Sequence, residues 1–168
     1  AMTRRCCNAR LPPWPKYFHK QADMHLSEAR LFAALEATWP ARRVFWERGF
    51  TFREGAGGGS RVSAASWTGT DAPEGHDLDF AERRMKAMAQ SRLFILRQSQ
   101  TALDAMLAGR GYRIKDPVWF YALDLRGLRT EPVADCFTIW PPLAVQVDIW
   151  AEGGIDPARL AVMDRVAG

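Results

Sequence analysis

The chain has 168 residues with 23 basic and 19 acidic side chains, a net charge of +4. Its 48% hydrophobic and 25% charged content is that of an ordinary soluble globular protein of about one domain, which excludes wholesale disorder, collagen and a small disulfide-stapled scaffold. The positive excess lies entirely in residues 1–23, where Arg4, Arg5, Arg10, Lys16 and Lys20 face the single acid Asp23; the remainder is balanced, so the body lacks the basic face that phosphate neutralisation requires, and no nucleic-acid partner is expected.

In chain order, residues 1–23 are basic and broken by Leu11-Pro12-Pro13-Trp14-Pro15, without helical or strand period. They are expected to be an irregular extension ahead of Met24, which reads as the natural start. Cys6 and Cys7 are adjacent, not at metal-binding spacing, and with Cys136 make an odd total of three, so a reducing, cytoplasmic setting is the expectation. The longest apolar run of the body, Val118 to Leu123, is too short to span a bilayer, and no membrane partner is expected.

Ser27 is placed to cap a helix carrying Leu31, Leu35 and Trp39 at four-residue steps, which Pro40 stops. Residues 44–54 read as a strand, Gly55 to Gly59 as a turn, and 60–67 as a returning strand. A second helix runs from Asp77 or Asp79 to about Gln90. Leu93-Phe94-Ile95-Leu96 is a short buried strand, and Ser99 or Gln100 opens a helix with an Ala102, Leu103, Met106, Leu107 stripe, ended by Gly109 and Gly111. Tyr112 to Ile114 is extended, and Val118 to Leu123 a further strand. After a polar linker, Cys136 to Trp140 reads as a strand and Pro141 or Pro142 to Ala151 as a helix. Arg159 to Val166 is a strand or short helix. The fold class is mixed α/β.

The Gly55–Gly59 run, flanked by Arg53 and Arg61, could form a nest of backbone N–H groups for an anion or be a plain hairpin loop. Neither the G-x-x-x-x-G-K-[ST] nor the G-x-G-x-x-G pattern is completed, because no lysine follows and Ser60 takes the last glycine's place. No nucleophile–base pair is legible. Trp140 and Trp150 bracket the helix after Pro141, with Glu152 and Asp148 nearby; an aromatic wall beside acids would suit a cationic or amine ligand, and simple helix packing would use the same residues.

The run Leu93-Phe94-Ile95-Leu96-Arg97 followed by Ala102 through Tyr112 resembles the late part of a domain of the GNAT family of N-acetyltransferases, in which a strand leads into a helix, a glycine turn and a final strand. Thr51-Phe52-Arg53-Glu54-Gly55 through Ala65 resembles the first hairpin of bacterial members with a degenerate first half and a catalytic second half. Ile139-Trp140-Pro141-Pro142-Leu143 and Ile149 to Ile155 resemble the entry to the second half. The resemblance implies a mixed sheet flanked by helices, with a degenerate unit at 24–124, a linker at 125–134 and an incomplete second unit at 135–168, of which Arg159–Met163 would be the first strand. It implies acetyl-CoA as cofactor, a small-molecule or peptide amine as acceptor, possible homodimers, and Trp140, Trp150 and Glu152 as acceptor-side residues. The family's pyrophosphate-holding R/Q-x-x-G-x-G/A loop at a helix N-terminus is approached only by Arg53 to Gly58, between two strands. The chain is therefore expected to be the N-terminal part of such an enzyme and not to bind acetyl-CoA alone. The alternative is a non-catalytic α/β binding or scaffolding domain.

Overall fold

A computed structural model of the chain describes residues 3–5, 27–122 and 139–167. Eleven elements follow one another in these residues: β1 (Thr3–Arg5), α1 (Glu28–Thr38), β2 (Arg43–Glu47), β3 (Phe50–Glu54), β4 (Ser66–Trp67), α2 (Gly75–Ala87), β5 (Leu93–Ile95), α3 (Thr101–Gly109), β6 (Arg113–Ile114), α4 (Ala144–Glu152) and α5 (Pro157–Ala167). The mixed α/β class is as the sequence suggests.

Strands β2, β3 and β4 form an antiparallel meander, and β5, β1 and β6 a parallel trio with β1 in the middle. A parallel bridge between Ala65 and Phe94 joins the two groups, with Ala65 N–H bonded to Leu93 O at 2.9 Å and Ile95 N–H to Ala65 O at 2.8 Å. Thr3 stands opposite both Leu93 and Arg113. Three residues of the expected irregular extension therefore form a strand; the rest of that segment lies outside the described residues.

The alternation along β3 and β5 decides which helices cover which face. Phe50, Phe52, Phe94 and Leu96 turn to one side and meet Leu78, Ala81 and Met85 of α2 and Leu103 and Leu107 of α3, all almost fully buried. Leu93, Ile95 and Ala64 turn to the other side, where Phe32 of α1 packs on them. At about 1.5–3 kcal/mol per large apolar side chain removed from water, the α2–α3 side is the dominant stabilising layer.

Several elements differ from the sequence-based expectation. The stretch 44–54 is two strands, because Arg48 (φ 47°) and Gly49 (φ 77°) make a two-residue turn between Glu47 and Phe50. Strand β4 is confined to Ser66–Trp67, since residues 61–63 are turn. Residues 118–122 are irregular rather than a strand, and Leu123 lies outside the described residues, as do Cys136 to Thr138. Arg159–Met163 is helical, inside α5. Asp156 explains that outcome: its Oδ1 accepts from Arg159 N at 2.9 Å, a helix-starting cap immediately before Pro157 at the first helical position.

Candidate functional site

The loop of glycines is the first place to look for an anion site, and its geometry is that of a packing platform. The Gly55 N–H is bonded to Gln90 Oε1 at 2.8 Å and the Gly58 N–H to Gly55 O at 2.8 Å, so two of the nest's donors are already satisfied. A Cβ on Gly58 would stand 2.5 Å from Val162 Cγ2, and one on Gly57 would stand 2.8 Å from Ala158 Cβ. The glycines thus allow α5 to approach the loop closely, and Val162 is fully buried there. Gln90 extends the clamp, donating from Nε2 to Arg53 O at 2.8 Å and Ser63 O at 3.1 Å.

Arg53 does not face this loop. Its guanidinium, 6% exposed, lies on the α1 side of the sheet. It donates through Nε to the two carboxylate oxygens of Glu36 at 2.9 and 3.1 Å, through Nη1 to Ala64 O at 2.9 Å, and through Nη2 to Ser66 Oγ at 3.0 Å. A buried charge paired and hydrogen-bonded so completely ties α1 to the sheet and has no donor aimed at a ligand. Arg61 sits over the Trp39 ring at 5.8 Å.

Past the Ala65–Phe94 bridge, β4 and β5 separate, and a cavity of about 430 Å³ lies between residues 67–73 and the start of α3. Gln100 spans the gap: its Nε2 donates to Trp67 O at 2.9 Å, and its Oε1 accepts from Arg97 N at 3.0 Å. The backbone groups freed by the separating strands are thereby satisfied within the chain. Just after residues 67–73 in the chain, the N-terminus of α2 carries its own acids. Asp77 Oδ2 accepts from Glu74 N at 2.8 Å, and His76 lies 3.3 Å from Glu74 Oε2 and 3.4 Å from Asp77 Oδ1. Carboxylates here neutralise the positive end of the helix dipole and would repel a second anion.

A titratable network that the sequence did not suggest joins α2 to the turn between α3 and β6 and to Arg92 just before β5. Tyr112, 3% exposed, donates from Oη to Glu82 Oε1 at 2.9 Å. Glu82 also pairs with Arg92 at 3.1 Å and with Arg110 at 3.5 Å. Arg110 reaches Asp79 at 2.6 Å and Gly75 O at 2.7 Å. Burial, and then the hydrogen bond to Glu82, push the Tyr112 phenol well above its ordinary range; the hydrogen bond to Asp79 raises the Arg110 guanidinium. The adjacency Arg110-Gly111-Tyr112 was the only signal available, since Glu82 is about thirty residues away.

Trp140, Trp150 and Glu152 lie on or beside α4, a helix with no buried residue. Trp140 is 42% exposed, Trp150 half-buried and Glu152 exposed. Among the described residues no ring contact joins the two tryptophans, and the cavity beside α3 is lined by other residues. Also among the described residues, no group of three or more His, Cys, Asp or Glu could hold a metal ion, and no helix is long and apolar enough to cross a membrane.

In its features the molecule is a mixed α/β protein in which, among the described residues, two donors of the glycine loop are bonded within the chain and acids stand at the start of α2. Compared with protein-family models, curated proteins and solved structures, the chain matches none.

Proposed function

We propose that these residues form the non-catalytic part of an acetyl-CoA-dependent N-acetyltransferase, a scaffold on which acetyl transfer to a primary amine depends but which does not hold the cofactor's pyrophosphate. One observation supports the reading that no pyrophosphate is held: the carboxylates of Glu74 and Asp77 stand at the N-terminus of α2, the helix that follows the β2–β3–β4 meander, where they would repel a phosphate. The order of strand, helix, glycine turn and strand over residues 93–114 supports the family resemblance. On this assignment Trp140, Trp150 and Glu152 are the acceptor-side groups, and their exposure leaves them open to an amine, with the acid able to pair with its ammonium form and the indoles to stack on it. Incubating the chain with acetyl-CoA and a panel of primary amines, and following thiol release, tests the assignment. The expected result is no release above the uncatalysed rate. Release that scales with protein concentration overturns it.

A second reading, a binding or assembly domain unconnected with acetyl transfer, is favoured by a different observation: large apolar side chains stand exposed on β2, with Trp46 at 67% and Val44 at 51%.

A further inference from the structure

Strand β2 is the end of its sheet among the described residues. The turn at Arg48-Gly49 fixes which of its backbone groups face outward. A two-residue hairpin loop is closed by a hydrogen-bonded pair, here Glu47 with Phe50, and the pairs alternate from there. Phe45–Phe52 and Arg43–Glu54 are then hydrogen-bonded pairs, whereas Val44–Arg53 and Trp46–Thr51 are not. The N–H and C=O groups of Val44 and Trp46 consequently point away from β3. The same two residues carry the exposed apolar side chains, so both the backbone edge and the side-chain stripe await a partner.

The sequence of the strand, Arg43-Val44-Phe45-Trp46-Glu47, is complementary to itself when read in reverse. We infer that β2 pairs antiparallel with β2 of a second copy of this chain, across a two-fold axis at Phe45, to make one sheet continuous through two molecules. In that register Val44 stands opposite the partner's Trp46 in a doubly hydrogen-bonded pair, and Trp46 opposite the partner's Val44 in another. The outward backbone groups are all used, and each exposed valine is covered by an indole. Arg43, which in its own chain reaches Glu54 at 2.6 Å, stands opposite the partner's Glu47, and Glu47, which in its own chain accepts from Arg84 at 3.0 Å, opposite the partner's Arg43, so that each ion pair extends across the axis on the face where Phe45 stacks on Phe52. Shifting the register to centre on Val44 or on Trp46 keeps an outward pair on the axis but sets Arg43 against Phe45, or Phe45 against Glu47. Charge complementarity and full pairing of all five residues occur together only with the axis at Phe45. The interaction is independent of any acetyl-transfer role.

A single strand edge with its flanking side chains is a small interface, so a weak dimer is expected, dissociating in the range of about 1–100 μM. Sedimentation velocity on the intact chain, over about 1–300 μM, reads it. The wild-type chain should shift from monomer to dimer with concentration. Val44→Pro removes an outward N–H without touching the β2–β3 ladder and should leave a monomer; Trp46→Lys, at an exposed position, should do the same and serves if the proline variant fails to fold. Arg43→Glu and Glu47→Arg should each be monomeric alone, because each sets like charges opposite one another, and an equimolar mixture of the two should recover the dimer. A wild-type chain that stays monomeric overturns the inference, since another segment of the same chain would then cover the edge. A dimer that survives both Val44→Pro and Trp46→Lys overturns it too, and a mixture that stays monomeric overturns the register.

Discussion

Tyr112 shows how one buried polar side chain organises its surroundings. Its ring packs edge-on against Phe94, with centroids 5.5 Å apart, while its hydroxyl reaches Glu82 at the polar margin of the same core. Because Glu82 is also held by Arg92 and Arg110, deleting the hydroxyl removes a hydrogen bond to a charged, partly buried acceptor. Tyr112→Phe should lower stability by about 1.5–3 kcal/mol, measured by urea unfolding near neutral pH. The phenol's pKa is raised in the folded state, so its contribution is complete below the ordinary tyrosine value of 10.0 and is lost as pH rises beyond it. The wild-type chain should therefore lose stability between pH 9 and pH 11 more steeply than Tyr112→Phe. Equal slopes for the two proteins would show that the hydroxyl does not hold its proton against Glu82.

Elements were legible in the sequence where local signals agreed. Ser27 accepts from Arg30 N as a cap should, and α1 ends at Trp39-Pro40. The apolar run Leu93–Leu96 is a buried strand, and Gln100 opens α3. Other boundaries depended on what no window of residues displays. The β2–β3 turn was hidden because Arg48, not an asparagine or glycine, takes the left-handed conformation before Gly49. Residues 159–166 alternate too weakly to separate strand from helix, and the Asp156 cap with burial of Val162 against the glycine loop decides for helix. Sequence left the glycine loop open between an anion nest and a plain hairpin loop, because it shows composition but not the helix packed on it. Its role can be read from a single methyl group. Gly58→Ala places that methyl against Val162 and should cost about 1–3 kcal/mol in unfolding free energy, with increased amide exchange confined to α5 and residues 55–62. Unchanged stability would mean that α5 does not rest on the loop.

Among the described residues, several of the groups that would invite a phosphate are already engaged within the chain. Gln100 bridges Trp67 and Arg97, Gln90 and α5 pack on the glycine loop, and Asp77 accepts from Glu74 N at the start of α2. Sequence alone registers that the R/Q-x-x-G-x-G/A pattern is not completed and that Asp77 or Asp79 stands at the start of the second helix; that the helix begins earlier, at Gly75 with Glu74 ahead of it, comes from the structure. Of the proposed acceptor-side residues, Trp150 and Glu152 lie on α4, a helix with no buried residue, and Trp140 precedes it. The most direct measurement is a calorimetric titration of acetyl-CoA into the intact chain at neutral pH and low ionic strength, where repulsion by Glu74 and Asp77 is least screened. No heat beyond dilution is the predicted result. Saturable binding with a dissociation constant in the micromolar range would contradict it and would mean that these residues contain a nucleotide site after all.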